Sequence, residues 1–122
     1  MKMYLVIFVL LLSSAAYAEV VEYSCDYIKY SNPEGVHNVD GGFKLVFMID
    51  KGTGKSFIRG NSGVEEVAAI PGVDRISFIE VTSTGNIMTT AIDQKLASVH
   101  SRNTIIMGEL SPSQYYGKCV SK

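Results

Sequence analysis

The chain has no tryptophan, two cysteines, two histidines and three prolines among its 122 residues, and no excess of charge of either sign. Each scarcity removes a class of chemistry. Two distant cysteines and two isolated histidines cannot supply the ligand clusters of a structural zinc site. A formal charge of −1 gives no clustered cationic surface of the kind nucleic acids or anionic membranes require. Past Ala18 there is no segment of helical period, no internal repeat and no low-complexity tract. Long apolar runs are missing too. The longest, Met3 to Leu12, falls short of the roughly 20 residues that cross a bilayer.

That run belongs to an expected export signal. Met1-Lys2 supplies the cation, Met3–Leu12 the apolar core, and Ser13-Ser14-Ala15-Ala16-Tyr17-Ala18 an Ala-x-Ala site. Cleavage after Ala18 leaves residues 19–122 as a single domain of 104 residues beginning at Glu19, with 10 basic and 12 acidic side chains. The first cysteine, Cys25, follows Glu22-Tyr23-Ser24 and does not fit a lipoprotein site, so no membrane anchor is expected after cleavage. The absence of any Asn-x-Ser/Thr sequon leans towards a bacterial envelope. The expected location is periplasmic or secreted.

In an oxidising compartment the pair Cys25 and Cys119 reads as one disulfide spanning nearly the whole domain. In the chain-entropy description a loop of that size removes roughly 4–5 kcal/mol of unfolded-state freedom.

Between the cysteines the pattern is strand, turn, strand. Val21, Tyr23, Cys25 and Tyr27 alternate with Glu22, Ser24 and Asp26, and Phe43, Leu45, Phe47 and Ile49 alternate with Lys44 and Met48 as a second strand. Ser31–Gly42 reads as one long irregular segment. Strands are expected at 55–59, 64–70, 75–82, 86–92, 96–102 and 104–110, with a tight turn at Arg102-Asn103. The fold class is therefore all-β: an antiparallel meander of about eight strands, a barrel in preference to a sandwich, with the disulfide tying first and last elements together.

Two local motifs fail on context. Gly52-Thr53-Gly54-Lys55-Ser56 resembles the end of a phosphate-binding loop, but Ile49 stands where its first glycine belongs and a strand follows instead of a helix. Gly60-Asn61-Ser62-Gly63 has Val64 in place of the last glycine of a nucleophile elbow. Both read as turns. His37, near Glu34 and Asp40, matches no metal-ligand spacing and reads as part of a loop, so neither metal nor cofactor is expected.

The chemistry-bearing candidates lie near the C-terminus. On a strand, Ser98, His100 and Arg102 share one face and Ala97, Val99 and Ser101 the other. If the last two strands pair across Arg102-Asn103, that face approaches Glu109, Tyr115 and Tyr116. Convergence of Arg, His and Tyr could hold an anion or a carboxylate, while the plainer expectation is a polar face at the domain's edge. The candidate binding residues are thus His100, Arg102, Glu109, Tyr115 and Tyr116.

The segments Val99-His100-Ser101-Arg102 and Pro112-Ser113-Gln114-Tyr115-Tyr116-Gly117-Lys118-Cys119 resemble the C-terminal block of a group of small exported bacterial proteins of unknown function. More distantly, an early Tyr23-Ser24-Cys25, a β-meander and a terminal Cys are similar in plan to periplasmic inhibitors of C-type lysozyme. Those inhibitors act through a Ser-Gly-x-x-Tyr loop. Here Ser62-Gly63 is followed by Glu66 at the tyrosine position, so no inhibitory residue is carried over. Three functions follow as expectations: a non-enzymatic module binding an envelope protein or small ligand, an inhibitor of a cell-wall hydrolase, and a hydrolase pairing His100 with Glu80 or Glu109.

Overall fold

Alternation of inward and outward side chains sets the architecture. In the computed structural model, which describes residues 19–122, apolar side chains at every second position turn inward along successive strands. The leader expected at residues 1–18 lies outside the described residues. The strands are β1 (Val20–Asn32), β2 (Gly35–Asp50), β3 (Ser56–Gly60), β4 (Gly63–Pro71), β5 (Arg75–Val81), β6 (Ile87–Asp93), β7 (Ala97–Asn103), β8 (Ile105–Ile106), β9 (Glu109–Leu110) and β10 (Ser113–Ser121). Eight of them close an antiparallel barrel in the order β1-β10-β7-β6-β5-β4-β3-β2, while β8 and β9 form a separate hairpin. The all-β barrel inferred from the alternation is thus the observed fold. Among the described residues no helix is long and apolar enough to cross a membrane.

Closure occurs where β1 meets β10. Cys25 lies directly opposite Cys119, and the two form a disulfide with a Cα–Cα distance of 3.9 Å across 94 residues of sequence. Both cysteines are buried, so the bond is part of the core as well as the seam. Around it Phe47 and Phe78 stack with ring centroids 4.5 Å apart, and Tyr23 meets Phe78 edge-on. Burying each such ring contributes roughly 1.5–3 kcal/mol. Gly117 is fixed by the same seam. A Cβ there would stand 1.9 Å from the Asp26 carbonyl oxygen, so only glycine lets β1 and β10 approach.

Three segments differ from the sequence-based expectation. Ser31–Gly42 is mostly strand rather than loop. The Asn32 side chain accepts the Glu34 N–H at 3.0 Å, turning the chain so that Gly35 pairs back with Asn32. The excess residues are absorbed in a bulge around Gly41 and Gly42, whose φ values of 74° and 77° suit glycine. His37 accordingly lies on β2, stacked on Tyr30 and bonded to Asn32 Oδ1 at 3.0 Å.

Residues 104–110 do not supply the eighth barrel strand. Met107 and Gly108 both adopt positive φ, 52° and 81°, which folds the segment back into the short β8–β9 hairpin. The eighth strand is β10, which lies beyond the last strand expected from the sequence. Its Ser113, Tyr115, Gly117 and Cys119 alternate inward, and it pairs with β7 in the register Tyr115 opposite His100. There is therefore no tight turn at Arg102-Asn103.

Candidate functional site at the barrel mouth

Around the disulfide the interior is packed with Tyr27, Phe47, Phe78 and Ile92. At one end the interior opens into a cavity of about 360 Å³ below the Gly60-Asn61-Ser62-Gly63 turn. Phe43, Leu45, Ile58 and Met88 form its apolar walls, and Glu65, Glu80 and Arg102 bring charge to it. A volume of this size is at the lower end of the range for small-molecule sites.

The polar floor is built from adjacent strands in register. Thr90 on β6 lies opposite His100 on β7, and Thr90 Oγ1 is 2.7 Å from His100 Nδ1. Two residues along β7, the Arg102 Nε–H donates to His100 Nε2 at 3.3 Å. Because a guanidinium only donates, Nε2 accepts, so the imidazole proton sits on Nδ1 and is given to Thr90. This is a neutral histidine with both nitrogens engaged. It is 1 % exposed, and burial, reinforced by the Arg102 charge, pushes its pKa down to about 4. Deeper in, the Tyr27 hydroxyl bonds to Ser98 Oγ at 2.9 Å, and burial pushes that phenol up to about 12.

Arg102 is held by more than one bond. Its guanidinium carbon lies 4.9 Å from the centroid of the Phe43 ring and 5.0 Å from that of Tyr115. Phe43 reaches it from β2 across the closed seam, with Tyr115 4.9 Å from Phe43. The Nε–H is spent on His100. The ion pairs among the described residues involve neither Arg102 nor Glu65 nor Glu80. Glu80, partly buried, has its carboxyl raised above the usual range, chiefly by burial and then by the Glu65 charge, with Arg102 opposing. Charges of both signs therefore face one cavity without forming a close pair.

A second concavity, of about 350 Å³, lies at the opposite end beside Asp74, Arg75 and Asp93. There Arg75 is already tied to Asp74 at 2.8 Å, so no cation is left to recruit a ligand.

Of the residues singled out in the sequence, His100, Arg102 and Tyr115 converge, and Glu80 lines the same cavity. The face carrying Ser98, His100 and Arg102 points into the barrel rather than forming a polar outer edge, because closure makes it the interior. Glu109 lies exposed on the β8–β9 hairpin and does not line the cavity. Tyr116 is on the outer face, 40 % exposed, where its hydroxyl donates to Gln114 Oε1 and meets Ser31 Oγ at 2.9 Å. Phe43, Glu65 and Thr90 complete the site. None was signalled in the sequence beyond its place on a strand, although Thr90 follows from the β6–β7 register once that turn is placed. No metal-binding group of three or more His, Cys, Asp or Glu residues occurs among the described residues.

The neutral His100 has a testable consequence. A histidine whose folded-state pKa lies below its unfolded value costs stability as pH falls, because the unfolded chain takes up the proton first. Stability linked to His100 is full above about pH 6.5, declines between about 6.5 and 4, and ends lower by about 3 kcal/mol. Urea unfolding of the wild type and of His100→Gln at pH 7 and pH 4.5 measures it. The wild type should lose markedly more stability over that interval, and equal losses would place the buried proton uptake elsewhere.

No protein-family model matches the chain, and no curated protein and no solved structure matches it either. What the fold and site define is a class: a small, disulfide-seamed, eight-stranded barrel with an aromatic core and a charged mouth.

Proposed function

We propose that the protein is a non-enzymatic binding module of the bacterial envelope or the secreted fraction, and that the barrel mouth holds a small ligand. One observation carries this reading. The Arg102 guanidinium rests against the adjoining Phe43 and Tyr115 rings and is braced by His100, yet has no carboxylate partner among the described residues. A partly buried cation, oriented in advance and with terminal N–H donors not used within the protein, is placed to receive an acceptor group at little further ordering cost.

Hydrolysis through His100 has less support. A general base needs a free nitrogen at the reacting atom. Here one nitrogen is committed to Thr90 and the other to Arg102, and no carboxylate is bonded to the ring. Inhibition of a cell-wall hydrolase keeps one supporting feature, since Ser62-Gly63 forms part of the rim. Glu66, by contrast, pairs opposite Phe57 on the outer side of β4, away from that rim.

The test is a thermal-shift screen of small carboxylates, amines and amino acids on the wild type and on Arg102→Gln. At least one class should raise the melting temperature of the wild type and leave the variant unmoved. Compounds that stabilise both proteins equally, or none that stabilises the wild type, would remove the mouth as a ligand site.

A further inference from the structure

Resting on the mouth as a ligand site, we infer that its ligand is a small zwitterion, an α-amino acid or a similarly sized amino-carboxylate with an apolar side chain. The inference comes from how charge is divided within the cavity. Arg102 stands on β7 with its Nε occupied by His100 and the Phe43 and Tyr115 rings packed together on one side of the guanidinium. Its terminal N–H groups are the donors left for a carboxylate, which a guanidinium fork binds in two parallel bonds.

Glu80 on β5 and Glu65 on β4 supply the opposite sign. The Glu65 charge adds to the cost of ionising Glu80, and neither carboxylate has a cation within 4.0 Å. Arg102 and Glu80, both partly buried, do not close into an ion pair. They are kept apart with a cavity in common. A molecule carrying a carboxylate at one end and an ammonium at the other satisfies both sides at once.

An anion alone would meet two uncompensated carboxylates, and a cation alone would meet the fixed guanidinium. Each is penalised by like charge in a partly desolvated space, so discrimination against them is built in. Between the charged sides, Leu45, Ile58 and Met88 offer apolar wall to a hydrocarbon side chain. The volume of about 360 Å³ suits one amino acid rather than a folded peptide.

The experiment is calorimetric titration of the intact oxidised protein with leucine and phenylalanine, in both L and D forms, and with their N-acetyl and amide derivatives. The free amino acid should bind, and blocking either end should weaken binding about tenfold or more. Arg102→Gln should weaken the free amino acid and abolish its preference over the amide. Glu80→Gln should abolish its preference over the N-acetyl form. N-acetyl and free amino acids binding equally, with loss in Arg102→Gln, would overturn the zwitterion while leaving the mouth as an anion site. Amides binding best, with loss in Glu80→Gln, would overturn it in favour of a cation site. Binding unaffected by either substitution, or heat from none of the probes alongside a negative thermal-shift screen, would overturn both readings together.

Discussion

Removal of the Cys25–Cys119 bond is expected to lower the unfolding free energy by roughly 4–5 kcal/mol, measured by urea denaturation of the oxidised wild type against Cys25→Ala/Cys119→Ala. The bond joins residues 94 apart, at the one place where the first strand must find the last. Without it the unfolded chain regains the freedom of almost the entire domain, and the β1–β10 contact must form by closing the longest loop in the topology. A domain of this size holds about 5–15 kcal/mol in total, so the variant should unfold at far lower urea and fold more slowly. Both sulfurs are buried in the core, and their replacement by alanine adds a small cavity cost in the same direction. A loss below about 1 kcal/mol would mean that the unfolded ensemble already holds its ends together, contrary to the chain-entropy account.

The second large effect is expected at Gly117. Gly117→Ala places a methyl carbon 1.9 Å from the Asp26 carbonyl oxygen and 2.8 Å from the Tyr27 Cα, both backbone atoms that no rotamer change can clear. Relief requires moving β10 away from β1. That strains the disulfide two residues on and shifts Tyr115, two residues back, from the Arg102 guanidinium. The cost should be about 3 kcal/mol or more, at the top of the range for overpacking because backbone must yield. Thermal unfolding measures it directly. Gly108→Ala is the internal comparison, since a Cβ there meets nothing within 4 Å and carries only the backbone strain of a φ of 81°. Comparable losses in the two variants would show that the seam is looser than the close approach implies.

How far the sequence leads depends on the range of the interaction concerned. The alternation through Ser98, His100 and Arg102 is local, and it put those three residues on one face correctly. The Cys25–Cys119 bond followed from cysteine arithmetic and compartment. The turns at Asp50–Gly54 and Asp93–Leu96 are written in side-chain chemistry: Asp50 accepts the Gly52 N–H, and Asp93 accepts those of Lys95 and Ala97. What local reading misplaced were segments where turn-forming residues sit inside strands. Gly41-Gly42 signal a loop but make a bulge, and Pro112 with Gly117 disguise a strand whose glycine is required by its neighbour's backbone.

The candidate site was only half legible for a different reason. Which residues face inward follows from period two, but which inward residues meet follows from closure. Phe43 and Arg102 belong to β2 and β7, separated in the barrel by β1 and β10, and nothing near either residue announces their 4.9 Å contact. Pairing β7 with 104–110 brought Glu109 towards His100. Pairing it with β10 puts Tyr115 there and sends Glu109 out on the side hairpin.

That hairpin presents Ile105, Ile106, Met107 and Leu110 to solvent, an exposed apolar tip that offers an alternative place for ligand contact. The most direct measurement of where a ligand sits is therefore a two-dimensional ¹H–¹⁵N NMR titration of the oxidised protein with leucine, following backbone amides and the Arg102 Nε–H. The mouth account predicts shifts centred on Gly60–Gly63, Glu80 and the Arg102 side chain, with the hairpin amides unmoved. Shifts confined to Ile105–Leu110, or a still Arg102 Nε–H in protein whose other resonances respond, would contradict it.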